Sequence, residues 1–170
     1  MLGGFQAASG ETLLQQVFPG KLIDLDTGGA LTTGAFDSAR AKLKVTETSD
    51  GNSRFSIQVK YIDTDFANRK FGSHLHTDKC VTDGAGVTGA HYKDPDLSFP
   101  ENEVWFELTP NNEGEAVYTT VVPFAPEDEN GAMSVVIHTG PTLADGSAGP
   151  KEVCLPLDVT TTWGQDMETQ

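Results

Sequence analysis

On either side of Asp50-Gly51 the chain alternates without a break. Ala41, Leu43 and Val45 alternate with Lys42, Lys44 and Thr46; beyond the turn, Phe55, Ile57, Val59 and Tyr61 alternate with Ser56, Gln58 and Lys60. A period of two marks a strand with one face in a core and the other in water, and Asp-Gly between two such runs makes a tight hairpin. The apolar face of this hairpin needs a second layer to cover it. Further short strands are expected at 21–26, 71–77, 104–108, 116–124, 133–138 and 151–157, separated by turns such as Gly28-Gly29 and Asn111-Asn112-Glu113-Gly114. No long helical period appears in 170 residues that include 18 Gly and 9 Pro, which removes helical classes from consideration. The expected fold class is all-β: a Greek-key β-sandwich or flattened barrel of about eight antiparallel strands, immunoglobulin-like, forming one domain over 1–170. Leu13, Leu14, Val17 and Phe18 read as a helical turn or docking arm, so 1–20 and 159–170 are expected as peripheral arms, and 81–102 as a long loop.

The chain holds four histidines. Two fall in Gly72-Ser73-His74-Leu75-His76-Thr77, where a strand would project both to one side about 6–7 Å apart, close enough to grip one ion. His91 lies in Gly89-Ala90-His91-Tyr92 and His138 in Val135-Val136-Ile137-His138-Thr139-Gly140, at loop or strand ends beside glycines. Neutral imidazole is the commonest protein metal ligand. Four nitrogens without a sulfur ligand fit tetragonal copper(II), and zinc stays open on ligand type alone. The two cysteines, Cys80 and Cys154, are either a disulfide in a secreted chain or two reduced core thiols.

The net charge of −14 argues against nucleic acid and anionic membranes as partners. With no 18-residue apolar run, no membrane span is expected. The N-terminus shows no basic segment ahead of an apolar one, so no signal peptide is expected within this chain.

Four segments carry a resemblance. Gly72-Ser73-His74-Leu75-His76 resembles the Gly-Phe-His-Val-His strand of copper/zinc superoxide dismutases. Gly89-Ala90-His91-Tyr92-Lys93-Asp94-Pro95 is similar to that family's Gly-Pro-His-Phe-Asn-Pro segment, and Val135-Val136-Ile137-His138 to its Leu-Val-Val-His strand. Gly146-Ser147-Ala148-Gly149-Pro150-Lys151-Glu152-Val153-Cys154 resembles its Gly-Asn-Ala-Gly-Ser-Arg-Leu-Ala-Cys. The four occur in the family's order over about residues 40–158 and use every histidine of the chain. The resemblance implies His74, His76, His91 and His138 as copper ligands, with His91 in the place of the histidine that bridges copper to zinc. It implies a Cys80–Cys154 disulfide, and with it an extracellular or periplasmic location, secreted or cell-surface.

Two departures qualify the match. The family's zinc site takes two further histidines and an aspartate after the bridging histidine, and no histidine lies between His91 and His138. One copper and no zinc per chain is therefore expected, as in the family's copper-only branch, where a carboxylate orients the bridging imidazole in place of zinc. Glu103 and Glu101 are the candidates for that carboxylate. Lys151 stands where the family has an anion-guiding arginine; lysine is a hydrated point charge instead of a planar fork. Lys79, Lys93 and Lys151 are the cations nearest the site in sequence.

The implied activity is dismutation of superoxide to oxygen and hydrogen peroxide, with His91 and Lys151 in the catalytic roles. Two other readings stand beside it: a non-catalytic copper-binding or storage domain of the same fold, and one structural unit of a repeat protein. A monomer is the expected oligomeric state.

Overall fold

The computed structural model describes residues 10–25, 33–80, 88–126 and 134–157. The expected Gly28-Gly29 turn, Met133 and the arm at 159–170 lie outside the described residues, as does 81–87 of the long loop. Within them run β1 (Thr12–Lys21), β2 (Ile23–Asp24), β3 (Arg40–Thr48), β4 (Ser53–Lys60), β5 (Phe71–His76), β6 (Trp105–Leu108), β7 (Ala116–Val122), β8 (Ser134–His138) and β9 (Lys151–Pro156). All pairings are antiparallel, in a four-stranded sheet ordered β1-β3-β4-β7 and a five-stranded sheet ordered β2-β9-β8-β5-β6. The protein is an all-β sandwich. The two sheets meet where edge strand β6 lies against edge strand β7, and where edge strand β1 lies against β9, next to the short edge strand β2. Strands β5, β6 and β7 follow one another round the sandwich and β8 returns to pair with β5, which is a Greek key.

The hairpin is built as its alternation requires. Ala41, Leu43 and Val45 pair with Val59, Ile57 and Phe55, all buried, and Gly51 turns the chain at φ +82°. These side chains interdigitate with the inner face of the second sheet, where Phe55 meets Phe106 edge-on at 6.3 Å and Phe36 meets Phe71 at 4.9 Å. Each such ring removes enough apolar surface from water to contribute about 2–3 kcal/mol.

Two sequence expectations need correction. Residues 12–21 form no helical turn and no arm: β1 is an edge strand paired with β3 from Thr12↔Thr48 to Lys21↔Arg40. The expected strand at 21–26 is not one element either. β1 ends at Lys21, Leu22 is buried between the sheets, and β2 starts at Ile23 in the other sheet.

The five-stranded sheet breaks the rule of alternating burial. Every residue of β5 and β8 is buried. Phe71 and Leu75 of β5, with Val135 and Ile137 of β8, enter the core between the sheets. The intervening Gly72, His74, His76, Val136 and His138 take the outer face, which loops 88–103 and 139–150 roof over. A sheet covered on both faces loses the period-two burial pattern. That roofed outer face is where the histidines lie.

Cys80, beyond β5, is disulfide-bonded to Cys154 in the middle of β9. Cys154 packs with Leu25 and Val136 on the roofed face. Closing a loop over a sequence separation of 74 restricts the unfolded chain by about 4–4.5 kcal/mol in the entropy model. Cys80→Ser/Cys154→Ser is therefore expected to lower the unfolding free energy of the metal-free protein by about 2–4 kcal/mol in urea melts; an unchanged midpoint would show that the cross-link carries no stability. No helix among the described residues is long and apolar enough to cross a membrane.

Candidate metal centre

β5 places His74 and His76 on one face, as the spacing predicts, and β8 brings His138 alongside. His91 arrives from the loop. Residues 90–92 run antiparallel to the end of β5, with Thr77 N–H donating to Ala90 O at 3.0 Å and Tyr92 N–H to Leu75 O at 2.8 Å. The four rings cluster with centroids from 4.1 Å (His74–His91) to 6.3 Å (His91–His138) apart. One nitrogen from each lies within 4.8 Å of all the others, so these residues can hold one metal ion. A metal–imidazole bond of about 2.0–2.1 Å puts opposite ligands about 4 Å apart, so binding needs little contraction.

The ring nitrogens divide into anchors and free ends. His76 Nδ1–H donates to Gly89 O at 3.1 Å, and His138 Nδ1–H to Gly149 O at 2.9 Å. A carbonyl can only accept, so both rings carry their proton on Nδ1 and present a lone pair at Nε2. His74 is turned the other way: its Nε2 pairs with the Thr142 hydroxyl at 2.9 Å, leaving Nδ1 for a ligand. His74 Nδ1, His76 Nε2 and His138 Nε2 are buried and have no hydrogen-bond partner among the described residues. A buried unpaired nitrogen costs about 1–3 kcal/mol, and three at one point are what a cation would satisfy. The donor set fits the group: neutral, pre-oriented imidazoles with outer anchors are the usual first and second layers of a metal site.

Burial keeps these rings neutral. Loss of water, reinforced by neighbouring histidines, lowers the pKa of His74 to about 2, His76 to about 3 and His138 to about 4. Protons therefore compete weakly with a metal at these three positions.

His91 differs, with 21% of its side chain exposed. Its Nδ1–H donates to Glu103 Oε2 at 2.8 Å, and Trp105 Nε1–H donates to the same oxygen at 2.7 Å. Lys93 Nζ stands 3.5 Å from Glu103 Oε1. A buried carboxylate with three donors is held firmly, and it turns His91 Nε2 toward the cluster. Glu101, the other candidate, is exposed; the structure brings Glu103 to His91 and leaves Glu101 outside. Glu103→Gln keeps the shape but gives up the charge and one acceptor. It is expected to cost about 10–100-fold in metal affinity, the usual effect of losing an outer partner; titration with a competing chelator measures this, and wild-type affinity would remove Glu103 from the site.

Lys151, at the start of β9, donates to Gly89 O at 3.2 Å, the same carbonyl that anchors His76. Burial lowers its pKa. Lys79 is exposed, and Lys93 lines an open recess of about 350 Å³ over His91, with Phe99, Glu103, Asp145 and Ser147. Sequence reasoning missed Thr142, Trp105 and the two carbonyl anchors. Thr142 reaches His74 because its loop presses on β5 at Gly72, where an added Cβ would overlap Thr142 Oγ1 and sit 2.9 Å from Ala148 Cβ.

The chain matches no family model and no curated protein. It is similar to a solved structure described as the clock protein EA4, with 13% identity over 92% of this chain and 98% of that one, at a TM-score of 0.57. At that identity the likeness is one of fold.

Proposed function

We propose that this chain is a copper-only superoxide dismutase, a zinc-free member of the copper/zinc superoxide dismutase family. One observation carries the reading. Three buried, unpartnered imidazole nitrogens converge with His91, whose remaining nitrogen is bonded to the Glu103 carboxylate, where the family's members would place zinc. Four nitrogens without sulfur favour copper over softer-site alternatives. Copper bound there would supply one-electron chemistry, oxidising one superoxide to oxygen and reducing the next to hydrogen peroxide; zinc is redox-inert.

The chain's own residues do the rest. Thr142, Gly89 O and Gly149 O fix three rings in place. Glu103 holds the proton on His91 Nδ1, and the exposed edge of His91 is the side from which a small anion and protons can approach. Lys151 adds positive charge close to His76 and His138. In a protein of net charge −14 only such local charge can draw superoxide in.

A non-catalytic copper store remains the second reading, favoured by one contact: the Lys151 ammonium is committed to Gly89 O and so helps hold the loop. Reconstitution with copper and zinc together, followed by metal analysis and a dismutation assay at two ionic strengths, separates the readings. A dismutase will hold one copper and no tight zinc, slow with added salt, and lose activity a few-fold to tenfold in Lys151→Gln, about 1 kcal/mol, with copper retained. Tight zinc beside each copper would end the copper-only reading. Copper retained with activity no better than loosely bound copper, indifferent to salt and to Lys151, would make this a copper store.

A further inference from the structure

The outer face of the four-stranded sheet carries a charge opposite to that of the whole chain. It displays Lys21, Arg40, Lys42, Lys44, Arg54 and Lys60, six of the eleven Lys and Arg in a protein of net charge −14. Their direction follows from parity, because the intervening Ala41, Leu43, Val45, Phe55, Ile57 and Val59 are all buried in the core. Register sets Lys21, Arg40 and Lys60 side by side, then Lys42 opposite Gln58, Lys44 opposite Ser56 and Arg54 opposite Thr46. The other outward positions, Leu13, Gln15, Val17 and Pro19 of β1 and Val117, Thr119 and Val121 of β7, add no Asp or Glu.

This arrangement works against stability. Like charges directly opposite one another destabilise a sheet, and Arg40 has Lys on both sides. Among the described residues only Lys60 of these cations, at the strand end, is ion-paired, with Glu115 at 3.1 Å. A chain with 25 Asp and Glu has carboxylates to intersperse, and the outward positions of these strands take none; Glu47 of β3 has the parity of the core-facing residues. Successive cations on β3 are about 6.7 Å apart, inside the screening length of about 8 Å at physiological salt, so they act together. The face also has a built recess. Lys44, Thr46, Arg54, Ser56 and Thr119 line a hollow of about 230 Å³ in which two cations and three hydroxyls converge. Ser56 Oγ and Thr119 Oγ1 share a hydrogen bond at 3.0 Å there, which leaves one hydroxyl hydrogen of the pair to donate to an anion.

We infer that this face docks an acidic polysaccharide, with one carboxylate or sulfate group in the hollow between Lys44 and Arg54 and its neighbours along Lys42 and Arg40. A slim glycan chain follows a band one sheet wide and avoids the acidic remainder of the molecule. A membrane or a nucleic-acid duplex is broad enough to meet that remainder and be repelled. The outward positions hold no aromatic ring on which the bases of a single strand would stack. Gln58, Ser56, Thr46 and Thr119, set among the cations, offer the hydroxyl and amide partners that sugar hydroxyls take.

The test uses the full chain with heparin and polygalacturonate as probes, and single-stranded DNA, duplex DNA and phosphatidylserine vesicles as comparisons. At least one polysaccharide is expected to bind at low ionic strength and to release as salt rises. Lys44→Gln/Arg54→Gln is expected to weaken that binding about tenfold. Lys70→Gln/Lys79→Gln changes net charge equally at exposed positions off this face, and is expected to weaken it less than about twofold. Failure of both polysaccharides to bind at low salt, equal weakening by the two double variants, or tighter binding of nucleic acid or vesicles would overturn the inference.

Discussion

His74→Ala is expected to release copper almost completely while leaving the sandwich folded. His74 is fully buried, its Nδ1 has no partner among the described residues, and its ring lies against His91, His138 and Trp105 at 4.1, 4.9 and 6.0 Å. Losing one of four ligands exceeds the 10–100-fold typical of losing an outer partner, so a drop of more than about 100-fold in copper affinity is the expectation. Two effects oppose each other in the metal-free protein. The vacated space destabilises, while removal of an orphaned nitrogen relieves about 1–3 kcal/mol. The metal-free midpoint should therefore move little, whereas the stabilisation gained from copper, about 4 kcal/mol at a thousand times the dissociation constant, should vanish. Copper content after dialysis against a chelator, with urea melts with and without metal, gives both numbers. Copper retained at the wild-type level would mean that His74 is no ligand.

Acid is expected to unfold the metal-free protein steeply. An unfolded histidine titrates near 6.5, while burial holds folded His74, His76 and His138 to about 2, 3 and 4. Between pH 6.5 and about 4 the unfolded chain binds protons that the folded chain refuses, so stability falls as pH falls. It is undiminished above about pH 7. With three such groups the slope approaches about 4 kcal/mol per pH unit near pH 5. Urea midpoints measured from pH 7.5 to 4.5 test this. His76→Leu should flatten the curve by about one third, and a profile flat across that range would show that these rings are protonated in the folded state.

Not all of this was legible in the residues. The hairpin at Asp50-Gly51 was, because one face meets core and the other water, and Val45↔Phe55 and Leu43↔Ile57 pair as the alternation demands. β1 was not. Leu13, Leu14, Val17 and Phe18 fall at a helical spacing, yet in the strand Leu13 and Val17 face outward while buried Gln16 points inward beside Phe18. Apolar residues on both faces and a polar one in the core erase the period of two, and only pairing with β3 decides the matter.

The sequence by itself determined the ligand types, the same-face placement of His74 and His76, the candidate cysteine pair and the acidity of the whole. Those follow from residue chemistry and from the two-residue period of a strand. Tertiary structure alone decided the rest. It chose Glu103 over Glu101, since the path of a loop, and no spacing rule, determines which carboxylate reaches His91. It supplied the Gly89 and Gly149 carbonyls as ring anchors, atoms every residue possesses and none advertises. It also gathered six cations onto one sheet face, because register depends on how distant segments pair and not on the order in which they are read.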